Sequence, residues 1–403
     1  MIRKTDLWKL LTYLVIFLIP TQLAIHFWPD FSFVYGIRVD YLSPAIYLTD
    51  ILIFLLVTIK ALDFVKIIRK NKKVVYLLLL LIVFNVGLSS NPAISTIRWI
   101  KVLVFLLFFV LVYIRKKELS LNKVFNTILY SASFFSLIGI YQFFFGKTTG
   151  LFWLLGERSF TLNSPGIALV ELSGQDFLRA YSTFSHPNSM GGYLGLVILF
   201  IIFQHKYIKS IFDKFLFAVI FLGFVLTFSF SSMVALLISL VVSLVAKKFP
   251  KKMTYTPLLC FAILSSFALP LVSTKIFAFS KGLGAVFSER VELSYFAGQM
   301  INNNFFIGVG LNTFIPNIPK LVGILNYSWI LQPVHNIFLL VFSELGILGF
   351  VVFFVAIYKL LKNGNIYLKM IVVFVITSGL FDHYWVTLQQ NNLLLVFLIG
   401  LFI

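Results

Sequence analysis

The chain is poor in acidic side chains and has almost no cysteine. Its 403 residues hold 14 Asp and Glu against 33 Lys and Arg, and charged residues total 12%, about half of the ~25% usual in a soluble domain. One cysteine, Cys260, sits inside an apolar run, so neither a disulfide framework nor a cysteine metal site is possible within the chain. No internal repeat and no low-complexity tract is visible. No small-residue cleavage site follows the first apolar stretch, 7–27, which therefore reads as a retained span behind Arg3 and Lys4.

The rest is apolar: 60% hydrophobic residues, with a mean hydropathy of +1.00. The net charge of +19 would suit a nucleic-acid partner if it lay on one soluble face. The basic residues instead fall in short clusters between apolar runs, so they read as topology signals and no nucleic acid is expected. A span takes about 20 residues, which leaves room for roughly twelve. The runs predict helices near 8–28, 44–62, 74–90, 97–114, 121–145, 186–204, 213–229, 231–246, 255–272, 335–358, 366–382 and 387–403. Clusters such as Lys66 to Lys73, Arg115 to Lys123, Lys206 to Lys214, Lys247 to Lys252 and Lys359 to Lys369 fall on one side, with Arg3 and Lys4. The positive-inside rule makes that side, and both termini, cytoplasmic.

The expected fold is an all-α integral membrane protein, one polytopic domain over 1–403, lying with its bilayer in a cytoplasmic membrane. Two long loops, 146–185 and 273–334, face outward and carry aromatic residues such as Trp153, Phe160, Tyr181 and Trp329. Long loops of this kind usually pack and often serve function. Within the second, 289–301 predicts an amphipathic helix with Val291, Leu293, Tyr295, Phe296 and Met300 on its apolar face, ended by Asn302 to Asn304. Gly308 and Gly310 then permit close backbone approach.

Two polar motifs interrupt the apolar pattern. One runs from Arg179 to Asn188 and contains His186-Pro187-Asn188; the other is His335-Asn336, followed by Ser343-Glu344-Leu345-Gly346. Polar groups are costly in lipid, so ionisable residues at span edges are functional candidates. Arg98 and Lys101 at the start of the fourth span, and Asp382-His383-Tyr384 at the end of the eleventh, lie at the same outer edge.

These motifs resemble those of the bacterial O-antigen ligase and polymerase superfamily. The resemblance rests on Arg179 to Asn188, on Arg290, on the turn from Gly308 to Phe314, and on His335-Asn336 with Glu344, Gly346 and Gly349. The first five spans support it by hydropathy alone. Two positions depart from the family pattern: Phe230 stands where members often have an Arg after Thr-x-Ser, and Phe305 where many have a proline. The resemblance implies glycosyl transfer at the outer face of a bacterial cytoplasmic membrane. The donor would be a polyprenyl-diphosphate-linked glycan, and the acceptor a hydroxyl on a lipid- or glycan-linked molecule.

The side chains suit that chemistry. Arg keeps its charge and presents a planar fork to phosphate oxygens, so Arg179 and Arg290 are candidate catalytic clamps for a lipid diphosphate. An imidazole titrates near the working pH, which makes His335 the candidate base. His186, Asn188, Asn336, Arg98 and His383 are candidate substrate contacts. The scheme needs neither cofactor nor metal, although Asp30 and Asp40 in the first outer loop keep a metal-dependent variant open.

Each residue also has a structural reading. His335-Asn336 could cap a helix, His186 and Pro187 could open one, and the arginines could snorkel as anchors. Glu344, about 13 Å along the helix from His335 and on the other face, reads as a buried hydrogen-bonding group. A flippase for lipid-linked glycans, or a catalytically degenerate assembly protein, are the alternatives to an enzyme. A transporter would concentrate polar groups at the bilayer midplane in repeated halves, and that pattern is not seen.

Overall fold

The computed structural model describes residues 4–245, 289–322 and 330–403. The expected span at 255–272 and the parts 273–288 and 323–329 of the loop 273–334, with Trp329, lie outside these residues. The chain is mostly helical. Its helices are α1 (Lys4–Leu18), α2 (Leu48–Ile59), α3 (Ala61–Lys70), α4 (Lys72–Gly87), α5 (Pro92–Arg115), α6 (Leu121–Phe145), α7 (Pro187–Phe203), α8 (Ile211–Leu226) and α9 (Phe230–Val245). They continue with α10 (289–303), α11 (Phe314–Val322), α12 (Ile337–Asn363), α13 (Ile366–Gly379), α14 (Tyr384–Thr387) and α15 (Gln389–Phe402). Among the described residues, three stretches, Pro92–Glu118, Leu121–Phe145 and Ile337–Asn363, are long and apolar enough to cross a membrane, and several shorter helices are also apolar.

The centre of the molecule is α7. It is apolar all round, as a fully enclosed helix should be, and nearly every residue from Pro187 to Ile202 is buried. It packs on α8, α9, α13 and α15, while α13 lies along α9, α6 along α8 and α15 along α5. Close packing against α14 requires Gly192: a Cβ there would stand 2.3 Å from Cε2 of Tyr384. The two polar segments that begin α7 and α14 are thereby fixed side by side.

A second packing unit surrounds the break in α12. Gly346 has φ 61°, which interrupts the helix, and a loop threads into the gap. Val309 N–H donates to the Ser343 carbonyl at 2.9 Å, Gly310 N–H to Glu344 O at 3.0 Å, and Ile347 N–H to Phe305 O at 2.8 Å. Asn85 clamps the same point, donating to Ile307 O and Glu344 O while its Oδ1 accepts from Trp99 Nε1 and Leu311 N–H. The close approach expected of Gly308 is real, since a Cβ there would meet the Glu344 carbonyl carbon at 2.4 Å. Glu344 Oε1 accepts from Phe314 N–H at 3.2 Å, at the start of α11, where a carboxylate satisfies otherwise unpaired amides.

In α10 the buried residues are Leu293, Phe296, Ala297 and Met300, one stripe at helical spacing. Val291 and Tyr295, expected on that face, are instead 54% and 61% exposed, because at 3.6 residues per turn they fall on the opposite side of the helix from the stripe.

The loops contain small β-structure that the expected all-α class did not anticipate. β1 (Ala24–His26) pairs antiparallel with β4 (Ala45–Tyr47), and between them β2 (Phe33–Val34) pairs with β3 (Ile37–Arg38). β5 (Leu169–Leu172) pairs with β6 (Gln175–Leu178). Two of these hairpins turn on residue pairs with positive φ, Tyr35-Gly36 and Ser173-Gly174, the requirement of a type I′ turn.

Candidate functional site

His186 and Pro187 open α7 in the way their chemistry favours. His186 has extended backbone, and its Nδ1 accepts the Asn188 N–H at 3.1 Å, capping the helix, while Pro187 fills the first turn. The acceptor role of Nδ1 leaves the proton of a neutral ring on Nε2. The ring is open to solvent, yet it lies deep among protein atoms. That desolvation and the neighbouring Arg179 charge lower its pKa.

Arg179 joins three segments. Its Nε donates to Thr227 O at 2.7 Å, and its Nη2 donates to Asn188 Oδ1 at 2.6 Å and to Phe228 O at 3.2 Å. Burial lowers the pKa of this guanidinium to about 10, and it remains a cation at neutral pH. Most of its donors are spent on protein. Arg179 braces the turn between α8 and α9, where Phe228 adopts φ 48°. Phe230, where the resemblance leads one to expect Arg, is 70% exposed; the carbonyls of Thr227 and Phe228 in this turn accept from Arg179.

Asn188 carries the network onward by donating through Nδ2 to Asp382 Oδ2 at 2.8 Å. Asp382 is buried, and its Oδ1 accepts the His383 backbone N–H at 2.8 Å. Burial alone would raise this carboxyl, but the imidazoles of His335 and His383 outweigh it and hold the group below the usual carboxylate range. His335 Nδ1 stands 3.9 Å from Asp382 Oδ1. This nitrogen is buried and has no hydrogen-bond partner among the described residues.

The His335 and His383 rings lie 5.1 Å apart, centre to centre. His383 Nδ1 is 2.8 Å from Thr387 Oγ1, whose hydroxyl donates back to His383 O at 3.0 Å. Nδ1 therefore carries the proton. Burial pushes this imidazole down to about 3, so it is neutral at physiological pH. The edge of Tyr41, from the first loop, packs on the His383 ring at 5.5 Å.

Two further expected residues border the cluster. Arg290, near the start of α10, donates through Nη1 to Phe381 O at 3.2 Å, next to Asp382. Asn336 caps α12, accepting from Phe338 and Leu339 N–H at 2.9 and 3.1 Å, and its Nδ2 donates to Leu380 O at 3.2 Å. The helix-cap reading of Asn336 is thus correct, and the cap also ties His335 to the segment 380–383. Arg179, Asn188, His186, His335, Asn336, Arg290 and His383 are all brought around that segment. Arg98 is not: it donates to Val386 O and lines a neighbouring cavity of about 600 Å³.

Asp382 is the residue that sequence reasoning undervalued, because adjacency to His383 concealed its contacts with His335 and Asn188. The acids Asp30 and Asp40 do not form a metal-ligand group; Asp40 lies 3.6 Å from Arg38. Among the described residues, the group with metal-ligand spacing is His335, Asp382 and His383, whose ligand atoms lie within 4.8 Å of one another.

Among curated proteins, none matches the chain by sequence. Residues 215–354 match the family model described as O-Antigen ligase. The matched stretch takes in Arg290, the glycine turn, His335, Asn336 and Glu344, and stops short of both Arg179 and Asp382. Over residues 215–354 the chain is thus similar to the O-antigen ligase family, in line with the resemblance carried by its motifs.

Proposed function

We propose that the chain is a glycosyltransferase of the O-antigen ligase or polymerase type. It moves a glycan from a polyprenyl diphosphate to an acceptor hydroxyl at the outer face of a cytoplasmic membrane. In this reading the apolar helices, with the expected span at 255–272, make about twelve crossings, and the loops 146–185 and 273–334 lie outside. The family match supports a transferase acting on lipid-linked glycans in a membrane; the roles below rest on geometry.

The observation that carries the reading is the unpartnered Nδ1 of His335 beside a buried carboxylate. A small ring movement brings Nδ1–H onto Asp382, which fixes the tautomer and leaves Nε2 as a base, the logic of an oriented imidazole. Nε2 takes the proton of the acceptor hydroxyl as its oxygen attacks the anomeric carbon. The bond from that carbon to the diphosphate oxygen breaks, the electron pair leaves with the lipid diphosphate, and the anomeric configuration inverts.

Arg290, with a single hydrogen bond to a carbonyl, is the freer cation and receives the developing phosphate charge. Arg179 contributes charge from a fixed position and holds Asn188 against Asp382. His186 presents Nε2–H to the cleft as a sugar or phosphate contact. No cofactor enters the scheme.

The test is transfer in detergent or liposomes from extracted polyprenyl-diphosphate glycans, with mass analysis, comparing wild type and His335→Ala. Ladders of repeat units mark a polymerase, and one block moved to a new acceptor marks a ligase. Full activity in His335→Ala removes this mechanism. Movement of the donor across the bilayer without transfer makes the protein a transporter.

A further inference from the structure

The cavity beside the histidine cluster is not used by the mechanism above. It is walled by the first loop, by α5 and by residues 153–158, and it reaches Ser185 and Thr387. Ser185 precedes His186, and Thr387 bonds His383, so the cavity adjoins the reacting centre. Its volume, about 600 Å³, falls within the ~300–1,000 Å³ range of ligand pockets.

Its cations divide into two kinds. Lys101 is paired with Asp50, which Gln389 Nε2 also contacts at 2.7 Å. Arg38 lies 3.6 Å from Asp40 and covers the face of Trp28 at 4.5 Å. Arg98 and Arg158, in contrast, have no carboxylate within ion-pair distance among the described residues. Arg98 is partly buried and donates to Val386 O; Arg158 donates to Ser185 O at 2.5 Å and lies over the rings of Phe160 and Tyr181. Of the nearby acids, Glu344 acts on Arg98 from beyond ion-pair distance and is bonded to Phe314 N–H, and Glu157, which lines the cavity, accepts from Gln142, from Thr149 and from Phe152 N–H.

A partly buried guanidinium without a direct ion-pair partner, as at Arg98, is costly, and an anionic ligand relieves that cost. The rim adds one uncovered aromatic surface, Trp153, which is 64% exposed. A sugar ring has an apolar C–H face for such an indole and a hydroxyl edge for the polar wall.

We propose that this cavity is the acceptor subsite and that it takes a sugar bearing an oxyanion, carboxylate or phosphate, held by Arg98 and Arg158 and stacked on Trp153. The assignment of the ligand as an acceptor rests on the proposed transferase reading, whereas binding itself does not. Occupation here places the acceptor chain beside His335 from the side of Thr387, and leaves the side of Arg290 to the donor.

The test measures binding to the full chain in nanodiscs by calorimetry. The probes are a glucuronate-containing disaccharide, the corresponding neutral disaccharide and glucose 6-phosphate, with geranyl diphosphate as a stand-in for the donor. At least one acidic sugar should bind ten or more times more tightly than the neutral one, and the pair shows whether carboxylate or phosphate is preferred. Arg158→Gln and Trp153→Ala lie on an exposed loop and test the site even if Arg98→Gln fails to fold. Each should weaken the acidic sugar at least fivefold, while His335→Ala leaves binding intact. Equal binding of the neutral disaccharide, no binding of either acidic sugar, unchanged affinity in the variants, or competitive displacement by geranyl diphosphate overturns the proposal. If binding behaves as stated but wild type shows no transfer, the subsite stands and the transferase reading falls.

Discussion

His335 Nδ1 faces Asp382 Oδ1 across 3.9 Å, and among the described residues neither a hydrogen bond nor a second partner satisfies that nitrogen. The gap is longer than a hydrogen bond, yet the carboxylate is already anchored by Asn188 and by the His383 N–H. The acid is fixed and the imidazole is adjustable, an arrangement suited to a base that must align with an incoming hydroxyl. Catalytic hydrogen bonds are often long in unliganded sites and tighten with substrate.

His335→Ala should lower the transfer rate by on the order of 10²–10⁴, the usual contribution of general-base catalysis. Asp382→Asn keeps the shape but loses the charge, so kcat should fall while the donor KM changes little. The double variant should be no worse than His335→Ala alone, because residues acting as one unit are not additive. Additive losses in a steady-state assay would separate the two residues.

The arginines should divide their effects. Arg290→Ala removes a side chain with one hydrogen bond to the described residues, so donor KM and kcat should worsen with little change in melting temperature. Arg179→Ala breaks hydrogen bonds to Thr227, Phe228 and Asn188. Each such bond involving a charged group contributes roughly 1.5–3 kcal/mol, and a clear drop in thermal stability should accompany lost activity. Thermal unfolding of the purified variants distinguishes clamp from brace; equal stability for both would contradict the division.

Much of this was legible in the chain. The 121–145 run gives α6 with its expected bounds, and His186-Pro187 opens α7 because a capping acceptor and a proline suit a helix start. Glu344 is buried and hydrogen-bonded, as its position nine residues into the span suggests. The apolar face of α10 is narrower than expected, since Val291 and Tyr295 lie on the side away from the stripe of Leu293, Phe296 and Met300. The hairpins were missed although Tyr35-Gly36 and Ser173-Gly174 carry the signal, because strands this short have no periodicity of their own to detect. Asp382 was undervalued for a different reason. Its partners Asn188 and His335 are distant in sequence, and only the packing of α7 against α14 joins them.

The break in α12 should be intolerant of a side chain. Gly346 has φ 61°, and a Cβ would lie 2.4 Å from the Ile307 nitrogen and the Phe306 carbonyl carbon. Gly346→Ala combines backbone strain with a clash against main chain that cannot rotate away, and should destabilise the protein by several kcal/mol (roughly 1–3 from the strain alone). Loss of folded protein after extraction is the expected readout. A variant that extracts and melts like wild type would mean that the glycine turn does not enter the break.

Metal dependence discriminates most sharply between uses of the same three residues. His335, Asp382 and His383 are spaced for a divalent ion, and an ion bound there would occupy a nitrogen of the proposed base. The neutral His383 ring, whose Nδ1 proton is turned to Thr387, would offer its Nε2. Asp382 already accepts from Asn188 and the His383 N–H, bonds that satisfy a carboxylate without a metal. Transfer should therefore survive prolonged treatment with chelator, and elemental analysis of the active protein should find no stoichiometric zinc or manganese. Inhibition by chelator, reversed by a divalent ion and accompanied by loss of bound metal in His335→Ala, would convert the base into a ligand. The mechanism would then have to draw its base from elsewhere.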